Sequence, residues 1–278
     1  MRRVLVSILC GAVSASIAGA SPKTGWSEDL LAGKVKSVKE TRVDVNRKDD
    51  VSIRTTRYDA TGRRLEWVRT SGAGEIKDRT VYTYTASGVI GELSYYGPKN
   101  TPDTTAKYTY NDKGQRIELS NFDGKGVLKD RTASTYDAAG VEIEASRYDA
   151  KGVEFAHVKY THDAQGRVTL EERSSRDGAL VERVSYGYDA NGFLTERHGI
   201  DSAGKTTTHE RWTNDAHGNK LEWTVFDPDG AIKEHWAYQY TFDKTGNWVK
   251  RQTSRVIEAN GREARTVAYE TTRVIEYW

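Results

Sequence analysis

A chain of 278 residues with 36% hydrophobic residues, one Met and a mean hydropathy of −0.74 is poor material for a thick globular core. Its 42 basic and 40 acidic residues nearly cancel, so the basic footprint that phosphate binding needs is missing and nucleic acid is set aside as a partner. Its 16 Tyr and 7 Trp against 5 Phe place most apolar area in amphipathic rings, which suits a thin structure with rings half against protein and half against water.

Residues 1–20 read as a bacterial-type secretory signal. Arg2 and Arg3 give a positive start, Val4 to Val13 a mostly apolar run, and Ala18-Gly19-Ala20 a small-residue cleavage site, with cleavage expected after Ala20. Leu9 sits where a lipid anchor at Cys10 needs a small residue. Cleavage removes Cys10, so the mature chain, residues 21–278, is expected to be periplasmic or secreted and to be stabilised by packing and strand pairing without disulfides. The segment is too short and wrongly flanked to be a membrane anchor.

A lead-in strand is expected over 33–45. From about 51 to 257 one unit recurs: YDATG ending at Gly62, YNDKG at Gly114, YDAAG at Gly140 and YDANG at Gly192, with looser copies between. The series runs Gly62, Gly88, Gly114, Gly140, Gly166, Gly192, Gly218 and Gly246, spaced by 26 six times and then by 28. A second series, Gly126, Gly152, Gly178, Gly204 and Gly230, sits between them with an earlier copy at Gly74, and Asn100 holds the place of a missing glycine. The chain therefore turns every 12 to 14 residues, leaving strands of about eight. Asp three residues before Gly folds its carboxylate onto the amides ahead, and Gly takes the left-handed conformation, as in a type I turn closed by a glycine bulge. A last strand is expected over about 264–278, capping the sheet.

Between turns the pattern has period two. Tyr82, Tyr108, Tyr160, Tyr186, Trp212 and Tyr240 stand six residues before six of the eight glycines of the first series. Thr83, Thr109, Thr135, Thr161, Thr213 and Thr241 point the other way, and Glu66, Glu92, Glu118, Glu144, Glu196 and Glu222 follow four residues after the glycine. The sheet thus has an aromatic side and a Thr/Glu side, and no stretch sustains a helical apolar stripe.

The Tyr-Asp-x-x-Gly unit at this period resembles the YD, or RHS-type, repeats of bacterial surface proteins and toxin shells, in which hairpins join into a long curling β-sheet. GNWVKR (Gly246 to Arg251) with TTRVIEYW (Thr271 to Trp278) resembles the closing segment of small exported YD-repeat proteins, and LAGKVKSVKET (Leu31 to Thr41) resembles their first strand. The resemblance implies a fold and is silent on activity. Neither the core segment nor the toxin domain of large RHS toxins is found, so their encapsulation role is not carried over.

The expected fold class is all-β: one long antiparallel meander of hairpin repeats, period 26, in a strongly twisted, curled or spiral sheet that wraps its aromatic side inward. An outer-membrane barrel is disfavoured because VTLEERSS (Val168 to Ser175) and FLTERHGI (Phe193 to Ile200) cannot supply a lipid-facing apolar band.

The aromatic column, with Trp67, Trp223, Trp236 and Trp248, is the candidate ligand-binding set, because ring faces meet apolar sugar faces and aromatic side chains. The plainer account of any single ring is core of a thin sheet, with the four extra tryptophans the more exposed. Glutamates such as Glu66 and Glu92, a hairpin apart, suit a solvated, salt-bridged face better than paired catalysis. His157 and His209 lie four strands apart, too far for joint metal ligation, and the turn aspartates already have backbone amides to accept from. No metal, cofactor or nucleophile motif is read. The expected function is non-catalytic binding of a polysaccharide or an envelope protein, with no membrane span. A self-assembling shell or scaffold element is the alternative, and a hydrolase the third.

Overall fold

The computed structural model describes residues 24–259 and 262–278. The signal segment read over 1–20 lies outside them. A short helix α1 (Gly25–Glu28) precedes β1 (Val35–Asp44), β2 (Val51–Tyr58), β3 (Arg64–Ser71), β4 (Ile76–Tyr84), β5 (Ile90–Tyr96), β6 (Pro102–Tyr110), β7 (Arg116–Asp123), β8 (Leu128–Tyr136) and β9 (Glu142–Asp149). There follow β10 (Glu154–His162), β11 (Val168–Ser175), β12 (Leu180–Tyr188), β13 (Leu194–Asp201), β14 (Thr206–Asn214), β15 (Lys220–Phe226), β16 (Ile232–Phe242), β17 (Trp248–Ala259) and β18 (Arg262–Tyr277). Every strand is antiparallel to its chain neighbours, as the turn spacing requires.

The turns have the chemistry read from the sequence. Asp59 Oδ1 accepts the amides of Thr61 and Arg63, Gly62 N–H donates to the Asp59 carbonyl, and Gly62 has φ of 88°. The same arrangement recurs at Asp163 and Asp189 in the first series and at Asp123 and Asp149 in the second. Each turn adds one unpaired residue to the following strand, seen as a register shift beside it. Asn100 does take the left-handed conformation, at φ 60°.

The ends of the sheet correct the expectation of an open, curled or spiral sheet. The terminal strands do not cap two free edges; they pair with each other. Val35–Asp44 of β1 runs against Tyr277–Tyr269 of β18, while the other edge of β1 pairs with β2, so all 18 described strands form one closed barrel. The reason is that a wide open sheet leaves two rows of unsatisfied N–H and C=O groups, which closure removes altogether.

Register fixes the shape of the barrel. Following opposed residues, Val38 to Thr56 to Trp67 to Thr80 to Tyr95 to Thr104, the path slips toward the second-series turns by two residues per hairpin. Once round the wall the slip is about 20 residues, giving a strand tilt of about 37° and, for a round cross-section, a backbone cylinder about 35 Å across and about 22 Å tall. Because the slip nearly matches the tilt, equivalent positions of successive repeats lie at one height.

The two faces are unequally packed. Thr80, Leu93, Ala106, Asn121, Ser134, Ala145 and Val184, all on the aromatic face, are buried, whereas the six threonines of the other face are exposed. The aromatic face is the inner one. Residues 24–34 pack onto it at the rim of the first-series turns. Trp26 covers Gly62 and donates Nε1 to the Val35 carbonyl at 2.6 Å, with Leu31, Val38, Tyr58 and Ile275 around it. Asp29 accepts from Tyr58 and pairs with Arg64 at 2.7 Å. Asn247, buried in the last turn of the first series, exchanges two 2.8 Å hydrogen bonds with the backbone of Ala32. The segment thus ties the first strands to the last.

The turns can be tested in two ways. A Cβ at Gly62 would lie 2.6 Å from the Trp26 ring, while one at Gly126 would meet nothing within 4 Å; both glycines have positive φ. Gly126→Ala should cost about 1 kcal/mol of backbone strain. Gly62→Ala should cost clearly more by displacing Trp26, a difference that urea unfolding with Trp fluorescence will measure. The second test is acid. Burial pushes the Asp59 carboxyl up, but hydrogen bonds from the Thr61 hydroxyl and the backbone outweigh it and hold the group at about 2. Backbone amides likewise hold Asp123 below its ordinary value, and hydrogen bonds hold Asp163 below it against burial. Their folded values lie below the unfolded one, so their stabilisation is complete above about pH 4 and is lost as pH falls toward about 2. Acid titration followed by circular dichroism should show unfolding in that window, and Asp59→Asn should flatten it.

Candidate aromatic lumen

All ten candidate rings stand on the inner wall, placed there by one rule: residues directly opposed across a hairpin share a face. Tyr82 opposes Leu93, Tyr108 opposes Leu119, Tyr160 opposes Glu171, and Tyr186 opposes Arg197. In the last part of the barrel the same row becomes aromatic throughout. Trp212 of β14 opposes Trp223 of β15, which opposes Trp236 of β16. The row continues by side-chain contact, since Trp236 stacks on Tyr269 of β18 with centroids 6.3 Å apart. The last strands thus present a continuous arc of rings to the lumen.

The rings are not equivalent. Trp212 and Trp248 are buried, Trp212 under the Lys220 amine and Trp248 against the Arg273 and Arg251 guanidiniums. The expectation that Trp248 is among the exposed rings is therefore corrected: its hairpin position next to the closing seam packs it against two cations. Trp67, Trp223 and Trp236 are half-buried. Indole donors of Trp223 and Trp236 are held by Glu210 at 3.2 Å and Glu234 at 3.0 Å, which fixes the rings. Tyr82 receives a hydrogen bond from Arg64, and Tyr186 donates to Glu171 at 2.9 Å.

A separate set of tyrosines is architectural. Tyr84, Tyr110, Tyr136, Tyr188 and Tyr240 each donate to a carbonyl 20 residues earlier, at 2.7 to 2.8 Å, locking one hairpin to the next. Burial pushes the Tyr84 and Tyr136 hydroxyls up to about 12, so they remain donors at any physiological pH. Tyr240 belongs to this set as well as to the column.

The outer wall carries charge. Glu66 pairs with Arg57 and Arg79 at 3.0 and 2.9 Å, Glu92 with Lys107, Glu118 with Arg131, Glu144 with Lys159, Glu196 with Arg211 and Glu222 with Arg265. These glutamates form a salt-bridged belt rather than a paired acid and base, as the spacing suggested. Among the described residues no group of three or more His, Cys, Asp and Glu could hold a metal ion, and no helix is long and apolar enough to cross a membrane.

Three features escaped the sequence reading. His198 directly opposes His209, with rings 4.8 Å apart and His209 stacked on Phe226 at 4.3 Å. The tryptophan row and the lumen arginines Arg42, Arg251 and Arg273 were likewise not picked out. The signal for the first two was present: both pairings follow from counting outward from a turn glycine, one residue fewer after it than before.

No family model matches the chain, and no curated protein matches it in sequence. Among solved structures, a porin-like protein from Bacteroides uniformis is 12% identical, covering 88% of this chain and 99% of that one at a TM-score of 0.49. A second porin-like protein, from Bacteroides vulgatus, covers 87% and 98% at 12% identity and a TM-score of 0.39. The TcdB2-TccC3-Cdc42 complex is 14% identical over 78% of this chain at a TM-score of 0.28, and this chain spans only 15% of that one. Likenesses this distant carry no functional meaning.

A membrane barrel needs an apolar band about 25 Å tall on its outside. Here that surface is crossed, at the third residue of each strand, by the Glu66, Glu118 and Glu196 ion pairs. The purified chain should therefore stay in the aqueous fraction without detergent, and in a vesicle flotation assay should remain with the dense fraction.

Proposed function

We propose that this chain is a non-catalytic binding protein of the bacterial envelope or exterior, and that its barrel takes a glycan chain against the tryptophan arc. The observation that carries this reading is the directly opposed row Trp212, Trp223 and Trp236, extended by Tyr269. Strand spacing sets successive positions about 4.8 Å apart, and the Trp223 and Trp236 indole nitrogens are fixed by Glu210 and Glu234. Closure restricts the partner. A folded protein docks on an open sheet, whereas an aromatic wall inside a cylinder suits an extended chain. The lumen carboxylates support binding without catalysis, since Glu171 and Glu182 are engaged by Arg173, Glu210 by Arg197, and Asp78 by Arg69.

Trp223→Ala and Trp236→Ala should each weaken glycan binding by about tenfold or more, the loss of one stacked ring face. Exchanging Thr83, on the outer face, for Ala should leave binding unchanged. A glycan array probed with the purified chain, then titration of the hits, measures both. An array without a hit would remove the reading.

A further inference from the structure

The arc of rings ends in a group of cations whose neutralisation is incomplete. Four inner arginines are neutralised, Arg64 by Asp29, Arg69 by Asp78, Arg173 by Glu171 and Glu182, and Arg197 by Glu210, while Arg54 and Arg147 lie over ring faces. At the closing seam three arginines come together. Arg251 of β17 opposes Thr271 of β18, which opposes Arg42 of β1, so the three form one row across the last and first strands. Arg273 lies two residues along β18, and its guanidinium centre sits 3.4 Å over the Trp248 ring that Arg251 also faces. Arg42 lies 3.7 Å over Tyr269, the ring that ends the tryptophan arc. Platform and cations are therefore continuous.

Among the described residues few anions answer them. Glu40 pairs with Arg273 at 2.7 Å, and Glu234 is occupied by the Trp236 indole. Asp44 is bound by Arg47. Three buried polar atoms of this small patch have no hydrogen-bond partner among the described residues: Thr271 Oγ1, Arg251 Nε and Arg273 Nη1, with Thr271 only 3% exposed. A buried donor left unpaired is costly, and here the three lie on neighbouring positions of two strands. Burial, opposed by Glu40 and reinforced by the neighbouring Arg251, holds the Arg273 guanidinium below its ordinary value. Two like charges crowded beside an aromatic wall are what an incoming anion relieves.

We infer that the glycan is acidic, its carboxylate or sulfate seated between Arg42, Arg251 and Thr271 while its ring faces lie on Trp223 and Trp236. This rests on the glycan-binding reading and narrows it to a chemical class.

The test is calorimetric titration of the purified chain with three oligosaccharides of equal length: an oligogalacturonate, a sulfated galactan fragment and a neutral xylan fragment. At least one acidic ligand should bind about tenfold or more tighter than the neutral one, with affinity falling as salt rises. Whichever acidic arm is tighter identifies the anion. Arg42→Gln with Arg251→Gln should abolish that preference, with an unchanged circular dichroism spectrum and unfolding midpoint reporting that the variant is folded. Thr271→Val is a milder second variant and should reduce acidic binding alone. Equal affinity for all three ligands, or acidic binding that survives the arginine exchange, would overturn the inference and leave glycan binding standing. Failure of all three to bind would overturn both.

Discussion

Hydrogen bonds between β1 and β18 set the terms for every other residue in the wall. Until those strands meet, the sheet has two open edges and its aromatic face is wet. Once Val35–Asp44 lies against Tyr269–Tyr277, the described strands have no free edge and the aromatic face is enclosed. The N-terminal segment reinforces that seam by bonding Ala32 to Asn247 and Asp29 to Tyr58 and Arg64. A thin wall with few buried apolar side chains can be stable because the strand ladder is complete and because hairpins are pinned to one another by tyrosine hydroxyls on carbonyls.

The two surfaces of the wall divide the work. Outside, glutamates and basic residues pair across strands at half-exposed positions, where each pair contributes little, about 0 to 1 kcal/mol, and chiefly keeps the surface hydrated. Inside, rings and arginines intermingle, so cations lie over aromatic faces at several positions, among them Arg54 over Trp67 and Arg251 over Tyr238. The inner wall is thus neither an apolar core nor a plain aqueous pore lining. It is a mixed aromatic and cationic surface folded into a tube.

Much of this was legible in the sequence because the repeat is a local code. Asp59, Asp123 and Asp163 announce their own turns, and the alternation of Tyr82 with Thr83 announces the two faces. The tryptophan row was also within reach, since Trp212 and Trp223 sit symmetrically about one turn and Trp223 and Trp236 about the next. Closure was not legible. Val38 and Ile275 are 237 residues apart, and nothing in either alternating segment says which strand it will meet. The seam arginines stayed hidden for the same reason, because Arg251 and Arg42 become neighbours only when the ends join.

The near match between register slip and strand tilt has a consequence for symmetry. Eighteen strands make nine hairpins, so the tube has an approximate nine-fold axis, and a molecule lying along it would meet much the same wall in any of nine rotational settings. Such degeneracy favours sliding and spinning over a defined pose. The Trp212–Trp223–Trp236 row lies in one sector and leads to the seam, so it marks an azimuth on an otherwise repetitive wall. Under the proposed function, that row would give an occupant of the tube a single orientation.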